Sequence, residues 1–526
     1  MAPAAVEGLP ALEAKRFPAA CVASPHYLAS AAGLAVLASG GNAVDAAIAT
    51  NLVLGVVTPY LCGYGGDLFA MVWKEGELSA YNGSGRAPAA ATLDAIRRAM
   101  GSDRMPTEGP HAVTVPGAVE AWYALLERFG SQWFGDLVRP ARRYAHEGFV
   151  LTAQAEERFV RARRRFADSP DWMAVYGHAR AGELLRQPGL ARQIDMLSTD
   201  GPDAYYRGQI GQAIADHVRS LGGLLSDEDL AGHRGEWVEP ISVDYRGVRI
   251  LEMPPNTQGV AVLEALRLVQ SSGDLPPDGP DRHHLLIEAI KLALADRDAH
   301  VTDPNHMRIP GEQLIADDWI AKRLASIDPR SAARPAAGRA AVGGTAYMCA
   351  ADAKGMFVSL IQSNYMGFGS GVTVPDWGIN LQNRGAYFSL DPAHVNVIAP
   401  GKRTSHTLIP AMALRDGRPW LIFGTMGGDG QAQTHLQVLT RIIDDGEDVQ
   451  RAVSAPRWIV SPEDWTVLAE AGFDPGWMEE LRARGHALSA TGPLDSVMGH
   501  AHAIVAEENG LAGATDPRAE GAVLGL

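Results

Sequence analysis

Apolar and polar residues alternate along this chain with two different periods. Upstream of about residue 225 the apolar positions recur mostly three and four apart. GLAVLASGGNAVDAAIATNLVLGV (33–56) reads as two alanine-rich helices parted by Gly40-Gly41, with Asn42 as N-cap of the second. GAVEAWYALLERFG (117–130) has the same spacing and ends in a glycine suited to a C-cap. This part is expected to be largely helical. From about residue 241 the period falls to two. ISVDYRGVRILEMPP alternates around Arg246-Gly247, and TAYMCAADAKGMFVSLIQSNY and TLIPAMALRDGRPWLIFG repeat the pattern around Lys354-Gly355 and Asp416-Gly417. Three hairpins imply a substantial antiparallel sheet, and helices that cover it imply an α+β layered architecture.

One stretch follows neither period. SIDPRSAARPAAGRAAVGG (326–344) is rich in Ala, Arg, Gly and Pro and reads as a mobile surface segment, yet a well-patterned strand begins at Thr345 directly after it. A mobile segment abutting a core strand suits a processing site.

Composition narrows the functional classes. The 526 residues suffice for one large or two to three ordinary domains, and 46% hydrophobic with 20% charged residues is the balance of a compact globular protein. A formal net charge of -15, with no run of Lys and Arg that would override it locally, argues against nucleic-acid partners. Small anionic metabolites are still admissible, because one arginine can dominate a pocket. Cys21, Cys62 and Cys349 are too few and scattered for a disulfide framework or a zinc site and read as buried thiols. The N-terminus lacks the pattern of a secretory signal. The most apolar stretch carries Asp45 and Asp67 and is broken by Pro59 and a glycine cluster, so it reads as core rather than a membrane span. A cytoplasmic enzyme is expected, with no membrane partner.

The usual nucleophile settings are missing: there is no G-x-S-x-G, H-E-x-x-H, C-x-x-C or Walker loop. His283 and His284 are adjacent and point to different sides of a helix, which reads as packing or surface use; no metal or organic cofactor is expected. Cleavage between Gly344 and Thr345 would supply a nucleophile. The freed α-amino group has a reference pKa of about 7.7–8.0, so it can take the proton of its own residue's hydroxyl near neutral pH. The β-branch of threonine also restricts where Oγ1 points. GTMGGDGQ (424–431) follows the strand-like WLIF, and the backbone N–H groups at Gly427-Gly428 suit an oxyanion. The rival reading, a phosphate cradle, lacks the Lys-Ser/Thr that should follow the glycines.

Ten blocks now form an ordered set: GGNAVDAA, GYGGDLF, VPGAVEAW, GGLLSDEDL, PPNTQG, GTAYMCAADAKG, GFGSG, GKRTSHTLIP, GTMGGDG and APRW. Over nearly its whole length the chain resembles the gamma-glutamyltransferase family of N-terminal nucleophile hydrolases. The resemblance implies an αββα sandwich made as one precursor that cuts itself into a large subunit, 1–344, and a small subunit, 345–526, with the nucleophile Thr345 at its start. The large subunit would end in the mobile tail 326–344. The two subunits partner each other, and a dimer of such heterodimers is possible.

Carried over residue by residue, the resemblance places a hydroxyl that hydrogen-bonds the nucleophile on Ser363, and the oxyanion glycines on Gly427 and Gly428. The substrate-holding positions differ from the family pattern. Those that grip the glutamyl ammonium become Tyr365, Arg384 and Tyr387, and the paired serines become His406-Thr407. The arginine for the glutamyl carboxylate is shifted, so that Ser84 stands in its place and Arg86 two residues later. The pattern is similar to a divergent subgroup that includes oxamate amidohydrolase, whose substrate carries a carboxylate and no amino group. Structural readings compete with these assignments: Arg86 and Arg384 as ion-pair partners, His406 as a core histidine, Tyr387 as packing at a strand end. The expectation is an autoprocessing amidohydrolase for a small carboxylate-bearing amide. The alternatives are gamma-glutamyl hydrolysis or transfer on glutathione-like compounds, then β-lactam side-chain deacylation, and an uncleaved silent binding protein of the same fold.

Overall fold

The computed structural model describes residues 12–336, 338 and 343–526. Two seven-stranded sheets dominate it. In spatial order, one contains Lys15–Phe17, Gly510–Thr515, Ala501–Glu507, Arg418–Thr425, Ala411–Arg415, Val248–Glu252 and Ile241–Tyr245. The other contains Ala522–Gly525, Cys21–Ser24, Gly344–Ala351, Phe357–Tyr365, Asp67–Lys74, Glu77–Asn82 and Glu236–Val238. We label four of these strands β1 (Asp67–Lys74), β2 (Gly344–Ala351), β3 (Phe357–Tyr365) and β4 (Arg418–Thr425).

Strand periodicity sorts the side chains into layers. Phe69 and Met71 of β1, Tyr347 and Cys349 of β2, and Phe357 and Ile361 of β3 meet Leu251, Met412, Ile422 and Ile504 of the opposite sheet in a core between the sheets. Their odd-even neighbours, such as Leu68, Ala70, Met348 and Leu360, face away into a second core built on helix α1 (Ala43–Val57). The other sheet's outer face packs on the helix Gly259–Ser271, on α2 (Pro280–His300) and on α3 (Gly430–Ile443). The order of layers is helix, sheet, sheet, helix, as the resemblance implies. All three predicted hairpins are present, with Arg246, Asp416, Gly247, Gly355 and Gly417 at positive φ in their turns. Asn42 caps α1 in a reciprocal box with Asp45.

The first part is largely helical, as expected, but it also holds strands that the period of its apolar residues did not show. Cys21–Ser24, Asp67–Lys74 and Glu77–Asn82 are strands inside it, and β1 lies near the centre of its sheet. Covered on both faces, β1 reads as a nearly continuous apolar run, which hides the period of two. The three cysteines are buried and free. Among the described residues no helix is long and apolar enough to cross a membrane. Of the tail expected over 326–344, residues 337 and 339–342 lie outside the described residues; Ala332, Ala333 and Gly338 each donate a backbone hydrogen bond to the body of the protein.

The two sheets meet closely where Gly424 of β4 faces Tyr347 of β2: a Cβ built on Gly424 would lie 2.3 Å from the tyrosine ring. Gly424→Ala is therefore expected to destabilise the protein by about 1–3 kcal/mol, the usual cost of overpacking. Urea denaturation would measure it, and trimming the ring in Gly424→Ala/Tyr347→Leu should recover part of the loss.

Candidate active site

Three neighbouring strands place Asp67, Ser363 and Thr345 side by side. Asp67 shares the inward face of Phe69 and Met71 and stands opposite Ser363 in the β1–β3 register. Between β2 and β3 the register shifts by one residue: Gly344 faces Tyr365 and Ala346 faces Gln362, so Ser363 and Asn364 together oppose Thr345. This is a β-bulge, a device that re-aims side chains next to functional sites. Tyr365 follows it at a φ of 74°, a backbone region uncommon outside glycine.

Thr345 and Ser363 are both buried. The Thr345 hydroxyl donates to Ser363 Oγ at 3.2 Å, the Tyr365 amide donates to the same oxygen at 2.7 Å, and Ser363 Oγ in turn donates to the Gly344 carbonyl at 2.5 Å. One hydroxyl thus polarises the carbonyl that precedes Thr345 and accepts from the threonine that would attack it. Gly344 fits because its backbone runs against that of Tyr60; a Cβ there would lie 2.5 Å from the Tyr60 carbonyl oxygen.

Gly427 and Gly428 lie in the turn between β4 and α3, at φ values of 136° and 59°. A Cβ on Gly343 would lie 3.7 Å from Gly428 Cα, so the glycine pair borders the backbone just before Thr345. Among the described residues no acceptor takes either glycine amide, whereas the Gly428 carbonyl accepts from Gln258 Nε2 at 2.9 Å. Two adjacent amides free at the head of a helix suit a developing oxyanion.

Beyond these groups lies Arg384, 1% exposed. Its Cζ stands 3.9 Å from the Tyr365 ring centroid, and Nη1 reaches Thr407 Oγ1 at 3.4 Å. Nε and Nη2 have no hydrogen-bond partner among the described residues. These two atoms form one edge of the guanidinium, the fork that binds a carboxylate bidentately. Tyr387 packs edge-on against Tyr365 and donates to Asp429 Oδ1 at 3.2 Å, an atom that also accepts from Arg297 at 2.5 Å.

His406 sits beneath this group. Its Nδ1 accepts from the Leu408 amide at 3.2 Å, which leaves the proton on Nε2, 3.2 Å from Asp67 Oδ2. Burial, reinforced by the Arg384 charge, holds the imidazole well below its ordinary value of 6.5, so it is neutral. Burial pushes the Asp67 carboxyl up to about 7, against the lowering pull of the Arg384 charge and of the N–H groups of Gly85 and Gln382. The geometrical ion pair is therefore a hydrogen bond from a neutral imidazole to an acid that titrates near neutrality.

The structure thus brings together Thr345, Ser363, Gly427, Gly428, Tyr365, Arg384, Tyr387, His406 and Thr407. It does not bring Arg86 to them: that half-exposed side chain is held by Glu236 at 2.7 Å, Asp303 at 3.2 Å and the Gly401 carbonyl at 3.1 Å. Asp67, Asp429 and Arg297 belong to the site although no sequence argument singled them out. For Asp67 the signal was present: in GYGGDLFAMVW it occupies the same alternate positions as Phe69 and Met71, a carboxylate on a core-facing register.

Comparison with known proteins finds relatives along the whole chain. The gamma-glutamyltranspeptidase family pattern matches residues 29–526. The glutathione hydrolase-like YwrD proenzyme of Bacillus subtilis (strain 168) is 40% identical over 519 residues, covering 96% of this chain and 98% of that protein. The oxamate amidohydrolase proenzyme of Klebsiella pneumoniae subsp. pneumoniae is 38% identical over 521 residues, covering 95% of this chain and 97% of that protein. The crystal structure of a cephalosporin acylase from Bacillus halodurans superposes with a TM-score of 0.94 at 39% identity, covering 100% of this chain and 99% of that one.

Asp67 yields a test that needs no substrate. Its carboxyl titrates at about 7 when folded, against 3.8 as the ordinary value, so between those limits the folded chain keeps a proton that the unfolded chain has lost. Stability contributed at this position falls as pH rises through that window. Relative to wild type, Asp67→Asn should therefore gain stability on going from about pH 5 to about pH 7.5, by no more than about 1.4 kcal/mol per pH unit. Urea midpoints at the two pH values would show it; a difference that does not change with pH would refute the raised value.

Proposed function

Because this chain belongs to the gamma-glutamyltranspeptidase family and is a hydrolase of the N-terminal nucleophile class, we propose that Thr345 is its nucleophile, exposed by self-cleavage after Gly344. We further propose that its substrate is a small amide with a carboxylate and no neighbouring ammonium group. The naming of relatives as proenzymes supports the first part.

In maturation, Thr345 Oγ1 attacks the Gly344 carbonyl carbon. Ser363 Oγ takes the threonine proton as it passes its own to the Gly344 carbonyl oxygen, and that proton moves on to the nitrogen as the Gly344–Thr345 C–N bond breaks and the ester carbonyl forms. Water then cleaves the ester, leaving Gly344 as a carboxylate and Thr345 with a free amine. In turnover that amine replaces Ser363 as the base. Oγ1 attacks the substrate amide, the Gly427 and Gly428 amides receive the oxyanion, the leaving amine takes the proton, and water hydrolyses the acyl-threonine.

The observation that carries the substrate assignment is the unpaired Nε–Nη2 edge of buried Arg384. A buried cation with unmet donors costs stability unless a ligand supplies acceptors. A substrate ammonium would find little welcome beside it: Asp429 is committed to Arg297 and Tyr387, and Asp67 to His406, Gln382 and Gly85. A carboxylate next to an amide, as in oxamate, satisfies the fork and brings the amide toward Thr345. The relative named oxamate amidohydrolase supports this reading; those named glutathione hydrolase-like and cephalosporin acylase supply the rival substrates.

Two measurements test the proposal. On a denaturing gel the wild type should give two bands summing to 56.0 kDa, Thr345→Ala one inactive band, and Gly344→Ala slower cleavage because its Cβ meets the Tyr60 carbonyl. A Thr345→Ala chain that still splits would place the cut with an external protease, and an uncut wild type would favour the silent binding protein. In kinetics, oxamate-like amides should be preferred over matched gamma-glutamyl amides. Arg384→Lys should lower kcat/KM about 10- to 100-fold, the worth of a charge-assisted fork, whereas Arg86→Lys should change little. A large advantage for the gamma-glutamyl compound would overturn the assignment.

A further inference from the structure

Arg384 is a cation that a substrate carboxylate would have to share with an acid already present. Arg384 and Asp67 are both fully buried and are linked through the His406-Thr407 pair: Arg384 Nη1 reaches Thr407 Oγ1 at 3.4 Å, and Asp67 Oδ2 accepts from His406 Nε2 at 3.2 Å. Gln382, two residues before Arg384, donates to Asp67 Oδ1 at 3.0 Å, and the Gly85 amide donates to the same oxygen at 3.0 Å. These donors are an imidazole, a side-chain amide and a backbone amide, and none of them brings a positive charge.

The positive charge that acts on Asp67 is that of Arg384. Of the carboxylates that act on Arg384, Asp67 does so most strongly, ahead of Asp429, which Arg297 already holds. The other groups facing the two supply no second cation. His406 is neutral, and burial pushes the Tyr387 and Tyr206 phenols well above their ordinary value. Tyr365 offers Arg384 its ring. The Thr345 amine, once freed, is the remaining group that titrates near neutrality.

A carboxylate seated on the Nε–Nη2 edge of Arg384 therefore places two anions around one buried cation. Buried charges are tolerated when each is paired, and two carboxylates that share a site do not both stay ionised. Relief comes from a proton on the acid away from the fork. Burial already pushes the Asp67 carboxyl up to about 7, with Arg384 as the largest opposing pull, and an anion at the fork cancels much of that pull.

We propose that binding of a carboxylate at Arg384 is coupled to the uptake of one proton from solvent by Asp67, so that Asp67 sets how the pocket's affinity for anions depends on pH. The proposal rests on the reading of Arg384 as the carboxylate fork. At about pH 6 the empty pocket already holds this proton, and binding takes up little. At about pH 8 the empty pocket has lost it, and each bound anion brings one back. Affinity for anions thus weakens as pH rises, by up to about tenfold per unit once Asp67 is ionised.

Pyruvate has the shape of oxamate with a methyl group in place of the amide nitrogen, so it offers the carboxylate without an amide to hydrolyse. Titration calorimetry of the mature wild type with pyruvate, in buffers of different ionisation enthalpy, counts the protons taken up. Uptake should rise from near zero at about pH 6 toward one at about pH 8, and Asp67→Asn should lower the value at the higher pH by about half a proton or more. Equal uptake in Asp67→Asn would give the proton to the Thr345 amine and overturn the proposal, as would no uptake at either pH. Should Asp67→Asn fail to fold, the wild type decides alone. With aspartate carrying 13C in its carboxyl, infrared difference spectra at the higher pH should gain a label-shifted band of a protonated carboxyl when pyruvate is added, and its absence overturns the proposal. Pyruvate that does not bind the wild type, or binds Arg384→Met equally well, would instead defeat the fork reading, and the proposal with it.

Discussion

The pairing of β2 with β3 is the constraint on which the site depends. A strand buried on both faces cannot move without losing its ladder, so Thr345, the second residue of β2, is held with the core behind it. The bulge opposite Thr345 then lets a single hydroxyl, on Ser363, contact the threonine and the preceding carbonyl at once. Asp67, one strand further, belongs to the same inward row and ties that row to His406 and the pocket around Arg384. Thr345, Ser363 and Asp67 are thus neighbouring positions across one sheet, and their spacing is the spacing of strands.

The pocket shows how a site is prepared at the expense of stability. Arg384 is held by the Tyr365 ring and a long contact to Thr407, an arrangement that leaves its Nε–Nη2 edge without a partner among the described residues. The nearby acids do not quench it, because each is engaged by other donors. On the proposed reading, a pocket assembled this way favours a planar anion through the donors it leaves unmet.

Much of this was legible in the sequence. The hairpins, the capped helix α1, the discontinuity at Thr345 and the Gly427-Gly428 turn all show as local patterns, since short-range chemistry dictates them. What escaped depends on long-range contacts. β1 was hidden because burial on both faces erases alternation, and with it went Asp67. Arg86 and Arg384 are equivalent as residue types; only the fold reveals that one meets Glu236 and Asp303 while the other pairs with no acid among the described residues. Arg297 and Asp429 are far apart in the chain and become a pair only when α2 packs beside the head of α3.

Each of the two large sheets takes strands from both sides of residue 344. A chain cut there would keep its shape, because the two pieces share both sheets and the core between them. Unfolding would then be a one-way event at low concentration: the intact precursor refolds as one molecule, whereas the severed pieces must first find each other. The mature protein would owe its persistence to the height of its unfolding barrier, and the precursor would be the only form able to fold in a strictly unimolecular way.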